Sequence, residues 1–99
     1  MIVNGYELKT TFLSDFSIAD KFGENAIRDT FNRAFNEWKE NYIYLTELVM
    51  VLNWKWWAHF EDGNESIAKV YDELFGKADM YACDNLNGEE LAYFLNTTD

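Results

Sequence analysis

The chain has 99 residues, a formal net charge of −10, 48% hydrophobic and 18% aromatic residues, no proline and one cysteine. That length suits one domain with one core, and a single Cys83 excludes an intrachain disulfide and a cysteine-rich zinc centre. The charge argues against nucleic acid and anionic membranes as direct partners.

Residues 1–12 read as a short extended arm. Ile2, Tyr6, Leu8 and Phe12 share one parity, and Thr10 and Thr11 favour a strand. Asn4-Gly5 has turn chemistry, but 1–3 is too short for a hairpin arm. A first helix is predicted over 15–22, with Ser14 as N-cap, Leu13 and Ile18 as a hydrophobic staple and Gly23 as its left-handed terminator. A second runs over about 26–40, where Ile27, Phe31, Ala34, Phe35 and Trp38 form one apolar stripe. No strong cap marks the break near 41–43, so a single bent helix is an alternative there.

The stretch 44–60, YLTELVMVLNWKWWAHF, is the most apolar and carries three of the four tryptophans. At a helical step, Leu45, Leu48, Val49, Leu52, Trp56 and Phe60 make a core-facing stripe. Ile43, Met50, Trp54 and Trp57 make a second apolar face. Only narrow strips containing Thr46, Glu47, Asn53 and Lys55 read as polar. A helix apolar around most of its circumference is covered on several sides, so the other helices are expected to pack around this one. It is too short and too interrupted for a membrane span.

Glu61-Asp62-Gly63-Asn64 is the clearest loop, with Asn64 or Asp62 as the next cap. A fourth helix is predicted over 65–85, with Ile67, Tyr71, Leu74, Phe75, Ala78 and Ala82 inward. Gly76 lies off that stripe and hints at close contact or local weakness. A fifth helix starts at Asn87, where Asn87 and Glu90 form a capping-box pattern, and ends near Leu95, leaving 96–99 as a tail. The fold class is thus all-α, four to five helices around the central one.

Chemistry is sparse. The one histidine, His59, reads as a packed or capping residue. Asp79 and Asp84 flank Cys83 and disfavour its thiolate, leaving it a small semi-buried filler. Asp62-x-Asn64-x-Ser66 imitates a calcium loop but places Ile67 where glycine is required. No cofactor, metal or catalytic set is expected, and the chain reads as non-enzymatic. Two surface features remain. The Ile43, Met50, Trp54 and Trp57 face is a candidate interaction surface for a protein partner, or for a homodimer, if neighbouring helices do not bury it. The acidic face comprises Glu65, Asp72 and Asp79, repeating every seven residues, with Asp84, Glu89 and Glu90 beyond. Residues 1–60 hold eight acids against six bases, whereas 61–99 hold ten against two. Such a face supports solubility; alternatively it resembles the phosphates of a duplex, making the chain a DNA mimic that blocks a DNA-binding or restriction protein.

The runs DFSIADKFG, AFNEWKENYIYLTELVMVLNWKWW and GEELAYF with a terminal TTD resemble a family of short acidic proteins encoded in bacteria, often on conjugative and other mobile elements of gut Gram-positive species. The resemblance covers nearly the whole chain and brings no catalytic residues with it. It implies a bacterial cytosolic accessory protein; the absence of a charged segment followed by an apolar run at the N-terminus, and of paired cysteines, fits that expectation. The chain departs from the family at Trp54, where the resemblance implies a more polar residue such as His.

Overall fold

The computed structural model describes residues 2–98. They fold into a two-stranded hairpin, β1 (Ile2–Val3) and β2 (Tyr6–Glu7), followed by helices α1 (Phe12–Ala19), α2 (Glu24–Trp38), α3 (Tyr42–Glu61), α4 (Glu65–Asn85) and α5 (Gly88–Thr98). α3 is central: it touches β1 and all four other helices, and α4 packs along it most extensively. Its apolar girth is the cause. Leu45, Leu48, Val49, Val51 and Leu52 are all buried, so no single neighbour could cover them. They join Phe16, Ile27, Phe31, Tyr71, Leu74 and Phe94 in one cluster. Among the described residues, no helix is long and apolar enough to cross a membrane.

Several boundaries differ from the sequence expectation. The N-terminal arm is a true hairpin: Asn4 and Gly5 both take positive φ, 50° and 81°, which is the backbone of a type I′ turn. Val3 pairs directly with Tyr6. Residues opposite one another share a face, so Val3 becomes the buried member and Ile2, grouped with Tyr6 by parity, is left outside. α1 begins three residues early, at Phe12, because Phe12, Phe16 and Ala19 supply its buried stripe. Ser14 therefore lies within the helix, and Ile18 is exposed and makes no staple. α1 ends at Ala19 with Asp20 as its C-cap, so Gly23 is not its left-handed terminator; it is the N-cap of α2, at φ 100° and ψ −170°. The break before α3 is real and capped: the Asn41 side chain accepts from the Tyr44 N–H at 3.2 Å. α5 opens on the Asn87 carbonyl, which accepts from Glu90 N–H. The Asn87 side-chain amide instead donates to the Asn85 carbonyl. The helix runs to Thr98, beyond the expected tail; Asp99 lies outside the described residues.

Of the residues that mark the polar strips of α3, Asn53 is half-buried and the other three point inward. Thr46 and Glu47 are fully buried and Lys55 nearly so. The Glu47 carboxylate accepts from Lys9 N–H at 2.9 and 3.1 Å, Thr10 N–H at 2.9 Å, Thr10 Oγ1 at 2.9 Å and Tyr6 Oη at 3.3 Å. These donors solvate a charge that would otherwise be very costly to bury. They also pin the segment between the hairpin and α1 onto the central helix. Tyr6 Oη and Tyr93 Oη, 2.8 Å apart, extend the link to α5.

Gly76 is exposed in mid-α4, and a Cβ there would meet nothing within 4 Å. Close approach does not explain it, so its effect is backbone entropy alone. Gly76→Ala should stabilise the fold by about 1 kcal/mol, seen as a melting point raised by roughly 4–8 °C. Glu47→Ala should cost about 3 kcal/mol or more, because two backbone N–H groups lose a charged acceptor. Amide exchange at Lys9 and Thr10 should accelerate with it.

Candidate functional site

The α3 surface divides the predicted interaction face. Met50 is only 7% exposed and Ile43 half-buried, whereas Trp54 and Trp57 are 44% and 47% exposed. A helical projection puts them together but ignores position along the axis. Around Met50, α3 is covered by the packing of α4, α5 and the hairpin, and Met50 shares the lining of a cleft with Asn4, Phe75, Asp79 and Thr97. Around Trp54 and Trp57 that cover has ended. Phe60, expected in the core, is 51% exposed, and Trp56 is half-buried. The last two turns of α3 thus present Trp54, Trp57 and Phe60 to solvent. Trp57 is braced by Trp56 and Phe60, with ring centroids at 4.7 and 6.1 Å. Between Trp54 and Trp57 lies an open cleft of ≈ 370 Å³, completed by Ala58, Glu61 and Asp62.

The basic side chains of this same stretch point the other way. Lys55 Nζ forms an ion pair with Asp20 Oδ2 and lies 3.4 Å from Ser17 Oγ. His59 Nε2 is 3.0 Å from the same Asp20 oxygen, and its ring stacks on Tyr71 with centroids 5.4 Å apart. The Tyr71 hydroxyl donates a short hydrogen bond to Asp20 Oδ1. Burial, and then the Asp20 carboxylate, hold that phenol well above its usual pKa. One carboxylate at the end of α1 therefore gathers partners from α3 and α4. Asn64 Nδ2, 3.5 Å from His59 Nδ1, approaches the second ring nitrogen. With Lys55 and Tyr71 also on Asp20, the Asp20–His59 pair is arranged as a structural clamp. Spacing alone could not reveal it, since Asp20 lies in another helix.

The acidic face is uneven. Glu65, Asp72, Asp84, Glu89 and Glu90 are exposed, but Asp79 is half-buried, and burial raises its carboxyl pKa. Lys69 and Lys77 are exposed on the same helix, and Arg28 of α2 pairs with Glu73. Cys83 is exposed rather than semi-buried. Desolvation first, then Asp79 and Asp84, push its thiol pKa up, which disfavours the reactive thiolate. Among the described residues, no group of three or more His, Cys, Asp or Glu is placed to hold a metal ion. A groove of ≈ 560 Å³ lies between α1 and α2, where Phe22 is exposed, as is Ile18, expected to form a staple with Leu13.

Comparison of the chain with family models, curated proteins and solved structures gives no match.

The division of the face predicts opposite outcomes for two similar substitutions. Trp54→Glu should leave stability within about 1 kcal/mol of the parent, as surface changes do. Met50→Glu buries an unpaired charge and should cost more than about 2 kcal/mol. Urea melts of the two variants check this.

Proposed function

We propose that this is a non-enzymatic interaction module, a cytosolic accessory protein of a bacterial mobile element, that docks a protein partner through the C-terminal end of α3. One observation carries the reading: Trp54, Trp57 and Phe60 are exposed together on consecutive turns of the central helix. Tryptophan is enriched among interface hot spots, and a contiguous patch of large exposed aromatics on a small domain marks a partner contact. The partner is a different protein rather than a second copy. With Met50 buried and Ile43 half-buried, the isologous surface shrinks to one end of the helix, and two copies at −10 each repel.

DNA mimicry remains the second reading, favoured by the exposure of Glu65, Asp72, Asp84, Glu89 and Glu90. It is the weaker one. A phosphate surrogate must be exposed, whereas Asp79, the third member of the heptad row, is half-buried. The interspersed Lys69 and Lys77 further dilute the pattern.

A partner identified by co-purification from the native host decides between the two. Trp57→Ala should weaken binding at least about ten-fold, as a hot-spot truncation does. A variant with Glu65, Asp72, Asp84 and Glu89 changed to amides should bind within a few-fold of the parent, and duplex DNA should not displace the complex. Displacement by DNA, with loss of binding in the amide variant, would establish mimicry instead.

A further inference from the structure

We infer that the cleft between Trp54 and Trp57 is a cation site that receives an arginine side chain from a basic segment of the protein partner. The inference rests on the interaction face proposed above and names what that face recognises. The cleft is lined by two indoles, the small Ala58 and two carboxylates, Glu61 and Asp62. No basic residue lines it, although Lys55 and His59 lie within the same two turns. Both are drawn inward to Asp20. Among the described residues, neither Glu61 nor Asp62 forms a salt bridge.

The electrostatics agree with that lining. Glu61 ends α3 and Asp62 is its C-cap. Two carboxylates therefore sit at the negative end of the helix dipole, the wrong end for an anion. The basic residue of that last turn, His59, is engaged by Asp20, so charge complementarity favours a cation from outside. Tryptophan faces attract cations more strongly than other aromatics, and guanidinium adds planar stacking to that attraction. Arginine also reaches a carboxylate through two parallel N–H donors while its stem lies on apolar surface. A cleft of ≈ 370 Å³ is at the small end of ligand pockets, about 300–1,000 Å³, which suits one side chain rather than a cofactor. A neutral apolar anchor would satisfy the indoles and leave the two carboxylates unpaired.

The test uses a blocked tripeptide, acetyl-Gly-Arg-Gly-amide, and the same peptide with citrulline, which keeps the shape and removes the charge. Binding is read from the indole N–H resonances of the intact protein. The arginine peptide should move the Trp54 and Trp57 signals saturably, leave Trp38 in place, and bind at least about ten-fold more tightly than the citrulline peptide. Glu61→Gln combined with Asp62→Asn, both at exposed positions, should lower affinity about ten-fold and keep a dispersed spectrum. Trp57→Leu should abolish the response. Equal binding of the two peptides, no response to arginine, or arginine binding that persists in both variants would overturn the assignment. If arginine is without effect while Trp57→Ala still loses the partner protein, the cation assignment fails and the interaction face stands.

Discussion

The Asp20 carboxylate is the contact on which the arrangement of this small domain turns. It sits just past α1 and takes Lys55, His59 and Tyr71 as partners, so three helices meet at one charge. A partly buried carboxylate is stable only if it is paired and hydrogen-bonded, and this one obtains both from Lys55 and His59, one turn apart on α3, and from Tyr71 of α4. Glu47 does the equivalent near the other end of α3, where Lys9 and Thr10 donate to it. Apolar residues surround most of α3, so hydrophobicity alone sets its rotation weakly. The two inward-directed polar contacts set it instead.

That rotation decides what is left outside. With Lys55 and His59 turned inward, the end of α3 shows tryptophans and carboxylates and no cation. The inward clamp and the outward aromatic face are therefore two sides of one arrangement. An exposed aromatic cluster invites self-association, and the net charge of −10 opposes it. On this account the acidity of the chain has a role without any acidic residue touching the partner beyond Glu61 and Asp62.

The helical architecture was legible in sequence because it depends on local period. The stripes of α2 and α4 repeat at helical spacing, and Phe31, Leu48, Leu52, Tyr71 and Leu74 are buried as expected. What could not be read was the fate of polar residues on α3. Glu47 and Lys55 look like solvent-facing breaks, since the groups that satisfy them lie in the hairpin segment and at the end of α1, far away along the chain. Met50 and Trp54 look equivalent because a helical projection has no axial coordinate; the hairpin turn and α5 cover one and stop before the other. The early start of α1 has a similar cause. Ser14 is a good cap in isolation, but burial of Phe12 outweighs a capping bond of about 1 kcal/mol. Trp54 and Trp57 were found by their apolar spacing, whereas Phe60 was misplaced in the core and Glu61 and Asp62 were read only as loop.

The central claim is that Asp20 draws Lys55 inward and so orients α3. A double-mutant cycle with Asp20→Asn and Lys55→Met, followed by denaturant unfolding, measures that contact most directly. Asp20→Asn strands the Lys55 charge and should cost about 3–5 kcal/mol, whereas Lys55→Met leaves Asp20 with His59 and Tyr71 and should cost less. The double variant should recover part of this, with a coupling of at least about 1 kcal/mol. Additive single effects, or single variants as stable as the parent, would contradict the account.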